Sequence, residues 1–590
     1  MLNHLLRYSE RLQAEPGFKP KSVRWSAVLD PSGRLVGVVP IGDVQAKKNQ
    51  GRSFPNCPDL SQAELVAGSG GRCHFLVETA EVVALLYSKK TADDPKAMKR
   101  VASKHAFFTD LVRQAAARVP SLAAIAACMG NPKDVEQLRE RLTSHAAAAS
   151  DKVCFQVGLE GAVVVDRDDW HDWWRVYRRT LRPSEDAAGP RVRCLLTGES
   201  VQPVPTHPKI EGLADVGGSG MGTVLIGFDK PAFASYGLEQ SHNAPMSEET
   251  ANAYRSALND LIRNHSKRLV GARVAYWFKN TVPPADDPVA LLLAESPEQE
   301  ERSADRAAWD LLGAIRSGTR PDLAGNQYYA LTLSGAGGRV MVRDWMEGAF
   351  PDLMEKVNLW FEDLAIVHRD GQGLAPPPKF LAVLAATVRE IKEISPPMVA
   401  SAWRAALRAG PIPISMMTQV VRRTTLDALA GEAPNHAAFG LLKAHHVRKQ
   451  RRDGGGQMAD MKPYLNEEHP EPAYHCGRLM AAYAALQRAA LGDVGAGVMQ
   501  RYYGAASTTP ALVLGRLART SQHHLGKLDP GLAYWFEQQL SEIWSRLGAG
   551  APGALTLEQQ SLFALGYYQQ LADMRTKKSD KTTHEEAHDV

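Results

Sequence analysis

Asp166, Asp168, Asp169 and Asp172 crowd around His171 within seven residues. Carboxylates at that density can hold a divalent ion, and an ion so held can activate water against a phosphodiester. A metal-dependent nuclease is therefore one chemistry open to the chain. Arginines lace the same stretch and would neutralise the carboxylates, so a solvated helix start is the plainer reading. No HExxH, GxSxG or paired cysteine offers another catalytic set. His445-His446 and His523-His524 lack a nearby acid to orient them. The six cysteines (Cys57, Cys73, Cys128, Cys154, Cys194, Cys476) form no CxxC pair, which argues against zinc and suits a reducing, cytoplasmic setting. Neither metal nor cofactor is expected.

Binding residues are more plentiful than catalytic ones. In WHDWWRVYRRTLR (Trp170–Arg182), Trp170, Trp173, Trp174 and Tyr177 share one helix face, and this stripe reads as core. Arg175, Arg178, Arg179 and Arg182 repeat the same spacing on a face about 140° away. Like charges at that spacing repel unless something supplies a counter-charge, and a phosphate backbone would. A solvated face is the alternative. The run KAHHVRKQRR (Lys443–Arg452), with Arg448, Lys449, Arg451 and Arg452, is either a solvated helix end or a second contact of this kind. Lys96, Lys99, Arg100 and Lys104 read as a solvated face.

Two glycine-rich polar loops stand out: Lys47–Arg72, and the turn from Lys209 through Gly217, Gly218, Ser219, Gly220 and Gly222. The second is not a phosphate-binding loop. No Lys-Ser/Thr follows its last glycine, and a strand rather than a helix comes next. It is either a flexible turn or a backbone that presses against a nucleic-acid groove.

The elements around these residues predict an α+β chain. Strands are expected at 22–41, 152–166, in RVRCLLTG, TVLIGF and RVAYWFK, and in the hairpin QYYALTLSGAGGRVMVRDW. A helical insertion is expected at about 85–150. Residues 345–456 read as a helical middle with proline-rich joints, ending at Gly454–Gly456. Residues 457–590 read as an all-α bundle with a frayed tail. Thr509-Pro510, Asp529-Pro530 and Thr556 with Gln559 are its cap signals. The first region spans 1–344. A hydrophobic content of 44% and a charged content of 23% are those of a packed protein, so disorder is not the default. A net charge of +4 excludes a global polycation, and any nucleic-acid contact must be local. No apolar run approaches a membrane span, and no secretory signal opens the chain.

Several segments carry a family resemblance: GRSFPNCPDLSQAELVAGSGGRCHFLVETAEVV, CLLTGESVQPVPTHPKIEGLADVGG, FASYGLEQSHNAPMSEETANAYRSALNDLI and LTLSGAGGRVMVRDW. Together with the N-terminal MLNHLLRYSERLQ they resemble the large subunit of the type I-C CRISPR surveillance complex (Cascade) over most of the chain. The hairpin tip departs from the family pattern, reading Ser334-Gly335-Ala336-Gly337-Gly338. The resemblance implies a non-enzymatic protein that recognises a protospacer-adjacent motif in double-stranded DNA. It implies that the protein promotes unwinding and R-loop formation, holds the displaced strand and helps recruit a helicase-nuclease. The implied partners are the CRISPR RNA-bearing complex with its backbone and guide-end-binding subunits, a small subunit, target DNA and the helicase-nuclease; no membrane is involved. Motif reading would fall to Lys47, Lys48, Asn49, Arg52, Asn56, Ser69, Arg72, Lys209, Gly217, Gly218, Ser219, Gly220 and Asn243. Backbone or displaced-strand contacts would fall to Arg175, Arg178, Arg179, Arg182, Arg339, Arg343, Arg448, Lys449, Arg451 and Arg452. The C-terminal part would also be made separately as the small subunit, from Met458 or Met461.

Overall fold

A computed structural model describes residues 1–42, 51–67, 71–159, 161–181, 191–293, 310–317, 319–454, 461–492, 494–548 and 550–576. The fold is α+β, as the sequence predicts, with its sheets confined to the N-terminal part. By its contacts the chain parts into two units. The first comprises Met1–Gly212 and Gly220–Arg263; the second comprises Leu213–Ser219 and Asn264–Val590.

The first unit opens with helix α1 (Leu2–Ser9) and strands β1 (Phe18–Val23), β2 (Trp25–Leu29), β3 (Leu35–Pro40) and β4 (Arg52–Pro58). The Asp30–Gly33 turn joins β2 to β3 in antiparallel pairing, as its Asp-Pro-Ser-Gly sequence requires. β4 pairs antiparallel with β1 as a separate ribbon. Sequence periodicity misses this ribbon because Pro20 and Pro55 interrupt its two strands, a pattern that reads as non-strand. β5 (Glu78–Thr79) precedes the helical insertion: α2 (Pro95–Ala116), α3 (Ala123–Gly130) and α4 (Pro132–Ser144). Asp94 caps α2 at the Lys96 amide, 2.9 Å away, and Asn131 caps α4 at the Lys133 amide, 3.1 Å away. Each cap is followed by proline at the first helical position. Val101, Phe108, Leu111, Val112 and Ala115 make the buried stripe of α2. Each large side chain so buried contributes about 1.5–3 kcal/mol. The chain returns as β6 (Lys152–Val157), parallel to β2 and antiparallel to β5, giving the order β3-β2-β6-β5. Then come α5 (His171–Thr180), the ribbon β7 (Val192–Arg193) with β8 (Ser200–Val201), the ribbon β9 (Lys209–Ile210) with β10 (Thr223–Val224), and α6 (Glu248–Asn264). The expected strand at 152–166 stops at Val157 and ends as a 3-10 turn; RVRCLLTG and TVLIGF supply two strand residues each.

In the second unit β11 (Ser266–Leu269), β12 (Ala272–Phe278), β13 (Gln327–Ala336) and β14 (Arg339–Ala349) form an antiparallel meander. Gly337 and Gly338 both have positive φ, 55° and 82°, which a two-residue hairpin turn between Ala336 and Arg339 demands. The helices follow: α7 (Phe350–Leu364), α8 (Pro396–Arg408), α9 (Ile414–Ala430), α10 (His436–Arg452), α11 (Pro472–Leu491), α12 (Val498–Ala506), α13 (Pro510–Leu525), α14 (Pro530–Ser545) and α15 (Leu557–Asp573). Thr556 and Gln559 form the expected capping box, and Asp529 caps α14. Thr509 makes no side-chain cap; α13 still starts on Pro510. One hydrophobic core runs from Leu269 to Ala572. The boundaries expected at 344 and 456 therefore fall inside a shared core, with Phe439 of α10 stacked on Tyr568 of α15 at 4.3 Å. Among the described residues no helix is long and apolar enough to cross a membrane.

Candidate nucleic-acid interface

In the first unit the aromatic stripe of α5 is core, as expected. Trp170 and Trp174 are fully buried, and the Trp174 indole donates to the Gly17 carbonyl at 2.7 Å. Phe75 stacks on Trp174 at 5.5 Å.

Of the arginine stripe, Arg175 and Arg178 meet carboxylates within the first unit. Arg175 donates from Nε and Nη2 to Glu15 at 2.7 and 2.8 Å and from Nη1 to Asp172 at 2.7 Å. Arg178 is buried; it donates to both Glu64 oxygens at 3.1 and 2.9 Å and to Glu248 at 2.6 Å. Burial disfavours its charge, but the two carboxylates win and raise its pKa. Arg179 is exposed and makes no ion pair among the described residues; Arg182 lies outside them.

The same contacts account for the carboxylate cluster. Asp166 pairs with Arg52 at 2.6 Å, Asp169 with Arg167 at 2.8 Å and Asp172 with Arg175 at 2.7 Å. The His171 ring packs on Phe18 and Trp170. Among the described residues no group of three or more His, Cys, Asp or Glu is placed to hold a metal ion.

Of the first motif loop, Lys47, Lys48, Asn49 and Ser69 lie outside the described residues. Arg52 opens β4, half its side chain exposed, with its guanidinium 4.7 Å above the Phe54 ring. Asn56 is exposed on the same strand. Arg72 donates to the Glu64 carbonyl at 2.9 Å, which ties it to the one-turn helix Gln62–Val66. Beneath this ribbon lies a buried charge network. Asp59 sits within 3.6 Å of Lys19, Lys21, His74 and Arg255. Burial alone would raise the Asp59 pKa, but its neighbours, Lys21 and Lys19 foremost, hold it well below the carboxylate range. Lys209 is exposed on β9, and Gly220 is exposed with open space around it. Asn243 spends its amide on the Leu238 and Gln240 carbonyls, both at 3.2 Å, and so pins a 3-10 turn. Near that turn Tyr236, which sequence reading passed over, is fully exposed at a φ of 56°.

In the second unit Gly217 and Gly218 have a packing role. A Cβ on Gly335, in the β13 arm of the hairpin, would overlap the Gly218 backbone, and one on Gly217 would lie 2.8 Å from the Gly335 carbonyl. The Gly218 amide donates to Leu213 at 2.8 Å, and Ser219 is exposed. Arg343 donates to Ser334 Oγ at 2.8 Å, and Arg339 is half-buried at the start of β14.

In the basic run of α10, Arg448, Lys449 and Arg451 meet carboxylates of the second unit. Arg448 is buried, donating to Asp363 at 2.7 Å and to the Ala405 and Gly410 carbonyls, over the Trp360 ring. Arg451 shares Asp363 at 2.9 Å, and Lys449 pairs with Glu558 at 2.6 Å. Arg452 pairs with the adjacent Asp453 and stays exposed. Sequence reasoning also passed over the cations of α12 and α13, whose signal is a long gap between carboxylates.

Residues 5–575 match the model of the family described as CRISPR-associated protein (Cas_Csd1). No curated protein matches the chain.

Proposed function

The chain belongs to the Cas_Csd1 family of CRISPR-associated proteins, and on that premise we propose that it is the non-catalytic large subunit of an RNA-guided, type I-C Cascade complex. In this reading it recognises the protospacer-adjacent motif in double-stranded DNA, promotes unwinding and R-loop formation, steadies the displaced strand and helps recruit the helicase-nuclease. The family match over nearly the whole chain carries the reading. Physical chemistry supports it. In RNA-guided targeting the guide reads sequence by pairing, while protein reads a short duplex motif and backbone shape. A narrow minor groove admits backbone, amides and single cations. The exposed Gly220, Lys209, Asn56 and half-exposed Arg52 are groups of that kind.

The test uses the complex assembled with its guide, challenged with targets whose flanking bases are randomised. Binding should select one short flanking motif, and Lys209→Ala with Gly220→Ala should weaken that selection at unchanged thermal stability. Equal binding to all flanks would refute the reading. Incubated alone with Mg²⁺ or Mn²⁺, the chain should leave duplex and single-stranded DNA intact. Metal-dependent cuts abolished by Asp168→Ala would establish a nuclease instead.

A further inference from the structure

Where α9, α10, α12 and α15 meet, the second unit has a cleft of about 310 Å³, its mouth included. Three aromatic rings line it: Phe439 of α10, Tyr503 of α12 and Tyr567 of α15. Tyr503 is 1% exposed and Tyr567 8%, yet neither hydroxyl makes a hydrogen bond among the described residues. The two rings meet edge to face at 5.2 Å. Burial, and then the nearby Tyr567, pushes the Tyr503 pKa up, so this phenol keeps its proton at neutral pH. A buried hydroxyl left unpaired is costly, so the pair marks a place built for a polar occupant.

Toward solvent the lining is acidic, with Asp427 and Glu432. Asp427 is shared with Arg423 at 2.8 Å. Glu432 is exposed and makes no ion pair among the described residues. It stands just past the end of α9, where the last carbonyls of a helix form its negative pole. The cleft therefore keeps one unanswered negative charge.

That charge selects a cation, and aromatic walls select a weakly hydrated one. Among the described residues no group of three His, Cys, Asp or Glu could hold a metal ion. A guanidinium carries five N–H donors in one plane, which suits a carboxylate and two phenol oxygens around one space. We infer that this cleft binds a guanidinium group, on an arginine side chain of another protein or on a free alkylguanidine. Glu432 is its counter-ion, and it donates to the Tyr503 and Tyr567 oxygens. An ordered water would satisfy the phenols but leave Glu432 without a cation. The site does not depend on the DNA contacts proposed above.

Saturation-transfer NMR on the full chain tests this. N-acetyl-arginine methylamide stands for a protein side chain and agmatine for a free alkylguanidine. The capped lysine and the uncharged capped citrulline are controls. A guanidinium probe should bind at about 1 mM, with citrulline at least about tenfold weaker. E432Q and Y503F should each weaken it about tenfold, and Y503F should not lower the thermal midpoint, because its hydroxyl has no partner within the chain. Binding of agmatine but not of the capped arginine assigns a free ligand; binding of the capped arginine assigns a protein side chain. Citrulline or lysine bound as tightly, an unchanged affinity in E432Q, or silence from both guanidinium probes would each overturn the inference. So would a lower midpoint in Y503F, which would show the hydroxyl already used inside the fold.

Discussion

At the scale of single residues, charge spacing on a helix does not reveal what answers the charge. Arg178 and Arg179 are neighbours in sequence with opposite fates, one buried on Glu64 and Glu248 and the other in solvent. Arg178→Ala should cost about 3–5 kcal/mol, because it strands two carboxylates. Arg179→Ala should stay within about 0.5 kcal/mol. Urea denaturation of the two variants checks both, and equal midpoints would contradict the burial described here. The glycines divide in the same way. Gly335→Ala should destabilise the second unit, since its Cβ has no room beside Gly218. Gly220→Ala meets nothing and should leave stability untouched. A loss of motif binding in Gly220→Ala alone would then report backbone approach to DNA.

At the scale of elements, local rules were legible where they acted locally. The prolines at 95, 132, 510 and 530 each open a helix, and the hairpin turn is written in two glycines. What escaped was set by distant partners. The β1–β4 ribbon is held over Asp59 and its cations, which come from four separate segments. The clamp of α10 depends on Asp363 and Glu558, far away in sequence on either side. Of the candidate interface, the sequence reading found the loops and named α5 and α10 for their arginines. It could not see which arginines were already satisfied. The bundle also buries imidazoles. His446, bonded to Ser561 at 2.6 Å, is pushed down to about 3 by burial, and His469, on Met461, to about 4. Both folded pKa values lie below the unfolded value, so the unfolded chain binds protons first. Their stability contribution is whole above about pH 6.5 and lost as pH falls toward the folded values. At pH 5 each should have cost the fold about 2 kcal/mol. Thermal midpoints should fall between pH 7.5 and 5, less steeply in His446→Gln. A slope equal to wild type would assign the loss to other groups.

At the scale of the whole molecule, each unit has its own core. The second unit bears on the separately made C-terminal product that the family resemblance implies. Met461 is buried and receives the His469 ring nitrogen at 3.4 Å. A start there would set a terminal ammonium beside a dry side chain, so Met458 should be the start if one is used. Intact-mass analysis of the expressed operon distinguishes the two. Such a product also lacks α9 and α10, so Tyr568 loses Phe439. It should therefore bind a hydrophobic dye or self-associate, whereas the full chain should do neither; a dye-silent monomer would contradict the shared core. The same helix has a further consequence. Tyr568 donates to the Val367 carbonyl at 2.8 Å, and Thr576 reaches Gly371. The last helix thus closes a structure begun some 200 residues upstream. A ribosome adding about 5–20 residues per second needs about 15–60 s to travel from β11 to α15. Through that interval the nascent polypeptide carries an open seam of apolar surface, the kind of surface that makes unfinished chains prone to aggregate.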